Sequence, residues 1–479
     1  MIMGSLFIVL LFTMCIGGII PPKVRYIWLV ITSYLYYAYL NRQHIFLLIG
    51  ITLVTYLGGI ILERVRKKKI AKIILILSIT AVCGVLFYYK YFEWIVNSIC
   101  AFMRIKTRVT FGNTLPLGLS FYSFQAIGYI IDIWKEKIKA ERNVLLYALF
   151  LSFFPIVVSG PIENAQCLLP QLRKMKDKAP DIFEMRYGIL LILYGMFLKL
   201  VIADRLAIYV NNAFDNYQMY GCLELIGGAA FFAIQLLCDF NGYTLVAKGS
   251  AYMLGVKISD NFKQPYLAIS VKDFWKRWHI SLTRWFTNYI YIPLGGNRCG
   301  IKRQLINILI VFCVSGLWHG ASWNFIIWGI LHGVYQCIEV LKGCYIHNKD
   351  VREKNFWKNC KWLKRFEVFV CVDFAWIFFR ADSCRAALGY IRQLLLNVPR
   401  VSILDMGLAW YDWGIVLVAI AVMFSIDILH EKGKSISEVF FRQKIWIRGI
   451  VYLTMFWTLV LFGEYGATYD TSQFIYSNF

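Results

Sequence analysis

Charge is what this sequence has little of. Only 16% of its 479 residues are charged, while 59% are hydrophobic. A soluble globular chain carries about 25% charged residues. The shortage excludes a soluble fold and defines an all-α polytopic membrane protein. Other signatures are missing too. The 13 cysteines form no C-x-x-C pair, and no histidine stands at metal-ligand spacing, so no metal and no disulfide framework is expected. Cys83, Cys238, Cys313 and Cys371 lie in apolar runs, where a free cysteine behaves as a small hydrophobe. No basic segment precedes the first apolar run and no small-x-small site follows it. That run is therefore expected to stay as a span, not to be cleaved as a signal peptide. There is no sustained repeat, no low-complexity linker and no soluble domain.

Long apolar runs are what the sequence does have. They include Leu6–Ile20, Ile27–Leu40, Ile45–Leu62, Ile73–Tyr89, Leu145–Val158, Tyr187–Leu200, Leu223–Leu237, Ile415–Ile428 and Val451–Phe462. A helix needs roughly 20 apolar residues to cross the hydrocarbon, so the pattern predicts roughly 11 to 13 membrane segments. The shorter runs predict broken or protein-buried segments. The Tyr and Trp residues mostly read as interface belts.

The formal net charge is +23. In a soluble chain this would suggest nucleic acid. Here the charge sits in short loops and sets topology, and no nucleic acid is expected. Lys23 and Arg25 follow the first run, and Arg64 to Lys69 follow the third. Basic loops lie on the cytosolic side, which puts the N-terminus outside. By the same rule the loops Arg173–Lys178 and Lys342–Arg365 are cytosolic.

One polar stretch reads VKISDNFKQPYLAISVKDFWKRWHISLTRWFTNYIYIPLGGNRCGIKRQ. Within it, Trp275, Trp278, Leu282, Trp285 and Tyr289 recur at steps of three and four. The spacing predicts one amphipathic helix from Asp273 to Tyr291, lying on the membrane surface. Arg277, Ile280, Ser281 and Arg284 take its other side. His279 falls beside Trp275, Leu282 and Phe286, on the apolar face.

Ionisable groups at membrane depth are candidates for function. His319, His279, His332, Asp239 and the pair Lys199/Asp204 stand out. His319 lies in GLWHGASWNF, between two apolar runs. A helix climbing from Arg303 to His319 rises about 24 Å. If Arg303 and Lys342 lie on one side, residues 305–341 form a hairpin of two short helices with GLWHGASWN as its deep polar bend. Gly316 and Gly320 allow the break or a close packing. A desolvated imidazole stays neutral, and a neutral imidazole accepts the proton of a hydroxyl. Ser322 and Asn324 are placed to orient the ring or a water. Each of these residues also has a plain structural reading. His332, beside Gly329 and Gly333, reads as a structural hydrogen bonder. His44, His347 and His430 read as interface or loop residues. Asp239 can pair with a basic group or cap a break at Gly242, Lys199 can snorkel, and Asp204/Arg205 resemble the end of a span.

WKRWHISLTRWFTNYIYIPLGGNR followed by GLWHGASWNFIIWGILHG resembles the membrane-bound O-acyltransferase family, in its bacterial cell-surface branch. Further blocks are similar and keep the family's order: LPLGLSFYSFQAIGYIIDIW, FFPIVVSGPIENAQCLLPQL, GMFLKLVIADRLA and the terminal SQFIYSNF. YIPLGGNR, GASWNF and the tail resemble the group that acetylates alginate and other wall polymers. Leu245, two places after the Tyr of the G-Y motif, resembles the group that transfers D-alanine to teichoic acid. Asn241 also departs from the first group's usual Ser or Ala. The resemblance implies a fold of membrane helices with broken or re-entrant segments around a central catalytic channel. It implies one integral-membrane acyltransferase domain over 1–479, with its core at about 115–341. His319 matches the family's invariant catalytic histidine and His279 the second histidine, with Trp278, Trp318, Ser322, Asn324 and Asp239 as supporting candidates. The implied donor is a cytosolic thioester, acetyl-CoA or an acyl carrier protein, with no bound cofactor. The implied acceptor is an exported polysaccharide, reached through an extracytoplasmic esterase-like partner. The implied location is the bacterial plasma membrane, in contact with its lipids. Two other classes compete: a transporter with His319 in a proton relay, and an assembly scaffold in a secretion complex. A transporter is expected to carry inverted repeats, and no second GLWHG-like block occurs.

Overall fold

The computed structural model describes residues 2–65, 67–105, 109–110, 112, 114–175, 180–349, 360–396 and 406–465. The block SQFIYSNF, Arg66, residues 176–178 of one basic loop and residues 350–359 of another lie outside the described residues, as does the side chain of His347. The described residues contain helices and turns and no strand. A helix satisfies its backbone within itself, which hydrocarbon requires.

In chain order the helices are α1 (Ile2–Ile19), α2 (Arg25–Leu40), α3 (Ile45–Arg64), α4 (Lys68–Leu86), α5 (Phe92–Phe102), α6 (Leu119–Trp134), α7 (Val144–Ser152), α8 (Ala165–Lys174), α9 (Ile182–Met196), α10 (Asp204–Asp215) and α11 (Cys222–Met253). Then come α12 (Val271–Arg277), α13 (Ile280–Phe286), α14 (Ile301–His319) and α15 (Trp323–Lys349). Helices at Lys361–Arg380, Cys384–Leu396, Trp410–Glu431, Ile436–Phe441 and Ile445–Phe462 follow. Among the described residues, 7 helices are long and apolar enough to cross a bilayer. They cover Arg42–Arg64, Lys68–Phe102, Cys222–Met253, Ile301–His319, Trp323–Cys344, Trp410–Glu431 and Ile445–Phe462. The apolar run Leu145–Val158 forms no span. Its helix α7 has 9 residues, is capped by the Asn143 side chain, and is buried from Leu146 to Ser152.

The chain packs as two compact units, and the division falls inside α9 and α11. One unit comprises Met1–Ile192 and Tyr243–Asp260. There α6 is buried along 14 of its 16 residues, packed on α3 and α4. Gln125 of α6 donates to the Phe150 carbonyl at 2.7 Å, and Tyr147 of α7 donates to Thr55 Oγ1 of α3 at 2.7 Å.

The other unit comprises Leu193–Gly242 and Asn261 onward. Its centre is the hairpin of α14 and α15, with α12 and the helix Lys361–Arg380 packed on α15. The hairpin expected around GLWHGASWN is present, but α15 is a long helix of 27 residues, not a short one. Two expectations about charge are corrected here. Lys199 does not snorkel. It is buried between Asp204 Oδ1 at 2.7 Å and Asp239 Oδ1 at 2.6 Å. The wide π turn Phe197–Ala203 carries the helix onward, so the helix does not end at Asp204 and Arg205. Arg205 is buried too. It bonds Asp412 at 3.0 Å, Glu464 at 2.7 Å and the Phe462 carbonyl at 3.0 Å, joining α10 to two later helices. A buried charge is tolerated only when paired in this way.

Candidate active site

The helix expected from Asp273 to Tyr291 is broken in two. α12 ends at Arg277, α13 starts at Ile280, and a π turn fills Thr287–Tyr291. The break is made by Asn261, which is 2% exposed. Its carbonyl accepts from Ile280 N at 2.9 Å, and its Oδ1 accepts from Ser281 N at 3.3 Å. Lys263 N donates to the Arg277 carbonyl at 2.9 Å, closing the other side of the break. These partners replace the intrahelical bonds a continuous helix would make.

His279 lies at the break, with φ 43° and ψ 53°. A non-glycine residue in this left-handed region is uncommon and marks a site the surroundings enforce. The ring is fully buried, on the apolar side as the spacing predicts. It meets Phe240 edge-on at 4.8 Å and Trp318 at 5.9 Å between ring centroids. It lies outside the candidate spans, and burial pushes its pKa down to about 3. Desolvation disfavours the charged ring, so the imidazole is neutral.

His319 is the last residue of α14 and is 2% exposed. Gly320 is extended and ends the helix, because its backbone leaves the helical region. Aromatic rings facing His319 include Trp318 at 4.8 Å, Trp328 at 4.9 Å and Phe379 at 5.2 Å. Trp318 therefore touches both histidines. His332 continues the series, 5.1 Å from both Trp328 and Trp275. Three histidines thus alternate with tryptophans in one buried cluster.

The supporting candidates fall in different places. Trp278 is 1% exposed and packs on Trp376 at 5.1 Å, at the floor of the cluster. Ser322 donates to Asn324 Oδ1, and Asn324 donates to the Ala381 carbonyl at 2.5 Å. These two bonds brace the bend after His319 against the end of the helix Lys361–Arg380. Asp239 faces Lys199, while its neighbour Phe240 faces His279. Sequence reasoning missed Asn261, Phe240, Trp328, Trp376 and Phe379. Trp328 could have been found, since it lies four residues before His332 on one helix face. The others come from distant segments and carry no local signal.

An imidazole enclosed by aromatic rings, at the bend of a hairpin in a polytopic helical protein, can take a proton in a site lined by apolar side chains. The model of the membrane-bound O-acyltransferase family matches residues 135–376. The peptidoglycan O-acetyltransferase of Helicobacter pylori is 30% identical over 400 residues, covering 78% of this chain and 74% of that protein. A probable alginate O-acetylase AlgI of Pseudomonas putida is 33% identical over 369 residues, covering 76% of this chain and 73% of that protein. The teichoic acid D-alanyltransferase of Bacillus subtilis is 30% identical over 265 residues, covering 52% of this chain and 61% of that protein. This chain belongs to the membrane-bound O-acyltransferase family. It is a multi-pass membrane O-acyltransferase.

Proposed function

We propose that the protein moves an acetyl group from a cytosolic thioester to a hydroxyl, on an exported cell-envelope polysaccharide or on the partner that passes the group to it. His319 is the general base and His279 the second catalytic histidine. The observation that carries this reading is the approach of both histidines to one ring, Trp318, at 4.8 Å and 5.9 Å. His319 takes the hydroxyl proton, and the oxygen attacks the thioester carbonyl carbon. The carbon–sulfur bond then breaks, and the proton passes from the imidazolium to the leaving thiolate. Aromatic walls keep water from competing for the acyl carbon.

Acetyl is favoured over D-alanyl by extent of similarity. The likeness to the two O-acetylating relatives covers 78% and 76% of this chain, against 52% for the D-alanyltransferase. The donor is acetyl-CoA or an acyl carrier protein, drawn from the side that bears Arg64 and Lys67–Lys69. The N-terminus then lies outside a bacterial plasma membrane. An esterase-like partner on the outer side hands the group to the polymer.

The test replaces His319 with Ala in the full chain. Membrane abundance is checked first, and the ester content of the envelope polymers is then measured. Loss of ester at normal abundance is expected. Unchanged ester content overturns the reading, and release of D-alanine instead of acetate overturns the acetyl assignment.

A further inference from the structure

We infer that His332 is a positioning residue for acyl transfer: through Trp275 it holds the short helix that ends at His279. This rests on the proposed roles of His279 and His319. The helix in question, α12, has 7 residues. A helix of that length has no stability of its own in isolation. Something must fix where it lies, because apolar burial alone is non-directional.

Its last residue, Arg277, is held by Lys263 N and by Glu431, and its start and middle are held by two side chains of α15. Glu339 accepts from the backbone N–H groups of Val271 and Lys272, the latter at 3.0 Å. Trp275 Nε1 donates to His332 Nδ1 at 3.2 Å. His332 and Glu339 are seven residues apart, two turns of helix, and so share one face of α15. The start of α12 and its middle are thus pinned to one stripe, and His279 follows one turn later.

The His332 bond also fixes the ring. It is fully buried, stacked near Phe274 and set edge-on to Trp328. Since Nδ1 accepts, the neutral ring carries its proton on Nε2. The opposite tautomer would set donor against donor and break the contact. α15 is in turn locked to α14 where Gly329 meets Gly316. A continuous set of specific contacts therefore runs from His279 through Trp275, His332 and Gly329 to the helix that ends in His319. A shift of α12 along α15 would change the spacing of the two histidines without unfolding either.

The test uses the full chain in membrane vesicles, with acetyl-CoA as donor and labelled acetyl transfer as readout. His332→Phe keeps a buried flat ring and loses the acceptor. Trp275→Phe loses the donor. His332→Asn returns an acceptor oxygen near the Nδ1 position. Both phenylalanine variants are expected to lower kcat by on the order of tenfold to a hundredfold, with KM for acetyl-CoA little changed. His332→Asn is expected to restore most of the rate. In a His279→Asn background, His332→Phe is expected to add no further loss. An ultraviolet resonance Raman difference spectrum reads the Trp275 N–H bond independently of activity. The bond signal is expected to vanish in His332→Phe and return in His332→Asn. Wild-type kcat in His332→Phe overturns the inference, as do losses that add in the His279→Asn background. Full transfer by His319→Ala and His279→Asn overturns instead the functional reading beneath it.

Discussion

Gly316 and Gly329 meet backbone to backbone across the hairpin. A methyl group on Gly329 would sit 2.3 Å from the Phe312 carbonyl oxygen and 3.3 Å from Gly316 Cα. One on Gly316 would sit 2.3 Å from the Phe325 carbonyl oxygen. The neighbours in question are backbone atoms, which cannot swing aside. Gly329→Ala is therefore expected to part α14 from α15 and cost about 1–3 kcal/mol, as overpacking does. A lower unfolding midpoint in detergent and a loss of acyl transfer check this. Gly343→Ala, with nothing within 4 Å of its added carbon, is the matched control and is expected to be neutral.

The backbone at His279 sorts replacements by shape. At φ 43°, Asn is tolerated and a β-branched residue is not. His279→Val is expected to be less stable than His279→Asn by about 1–3 kcal/mol. Thermal unfolding of both variants in one detergent decides it.

Acid exposes the same burial. The ring's ordinary pKa is 6.5, and burial lowers it to about 3. Between those values the unfolded chain binds a proton that the folded chain refuses, so stability falls as pH falls below 6.5 and levels off near 3. Above 6.5 both states are neutral at this ring and the contribution is flat. His279→Asn is expected to remove this part of the acid slope, which unfolding midpoints from pH 4 to 7 measure. A slope equal to the wild type's would show that the ring is not buried neutral.

Lys199 separates two carboxylates, and its loss is expected to be severe. Lys199→Met leaves Asp204 and Asp239 buried without the cation that holds them 2.7 Å and 2.6 Å away. Breaking a buried pair from one side costs about 3–5 kcal/mol. Adding Asp239→Asn removes one stranded charge and is expected to recover part of the loss. Abundance in membranes and detergent unfolding of the single and double variants check the order.

Asn261 acts on the site through backbone. Asn261→Ala removes the acceptor for Ser281 N and is expected to cost about 1 kcal/mol, as loss of a helix cap does. Transfer is expected to fall further than abundance, because the turn that presents His279 loosens. Asn261→Asp keeps Oδ1 and is expected to retain more transfer than the Ala variant. Equal transfer by both would remove the Ser281 bond from the account.

What the sequence disclosed follows how local each cause is. The bend after His319 was legible, because two glycines bracket a histidine inside an apolar run. The apolar setting of His279 was legible from the spacing of Trp275, Trp278, Leu282 and Trp285. Its broken helix was not, because that spacing runs through the break without a fault. The cause is Asn261, which acts through space from an earlier segment. Lys199 read as a snorkelling residue because its second partner, Asp239, lies on a different helix. The π turns at Phe197–Ala203 and Thr287–Tyr291 leave no mark in composition.

The glycine crossing has a mechanical consequence. With no side chain between the backbones at Gly316 and Gly329, the crossing has nothing soft to compress. The residue at the tip of α14 therefore keeps its place relative to α15 without help from any side chain at the crossing.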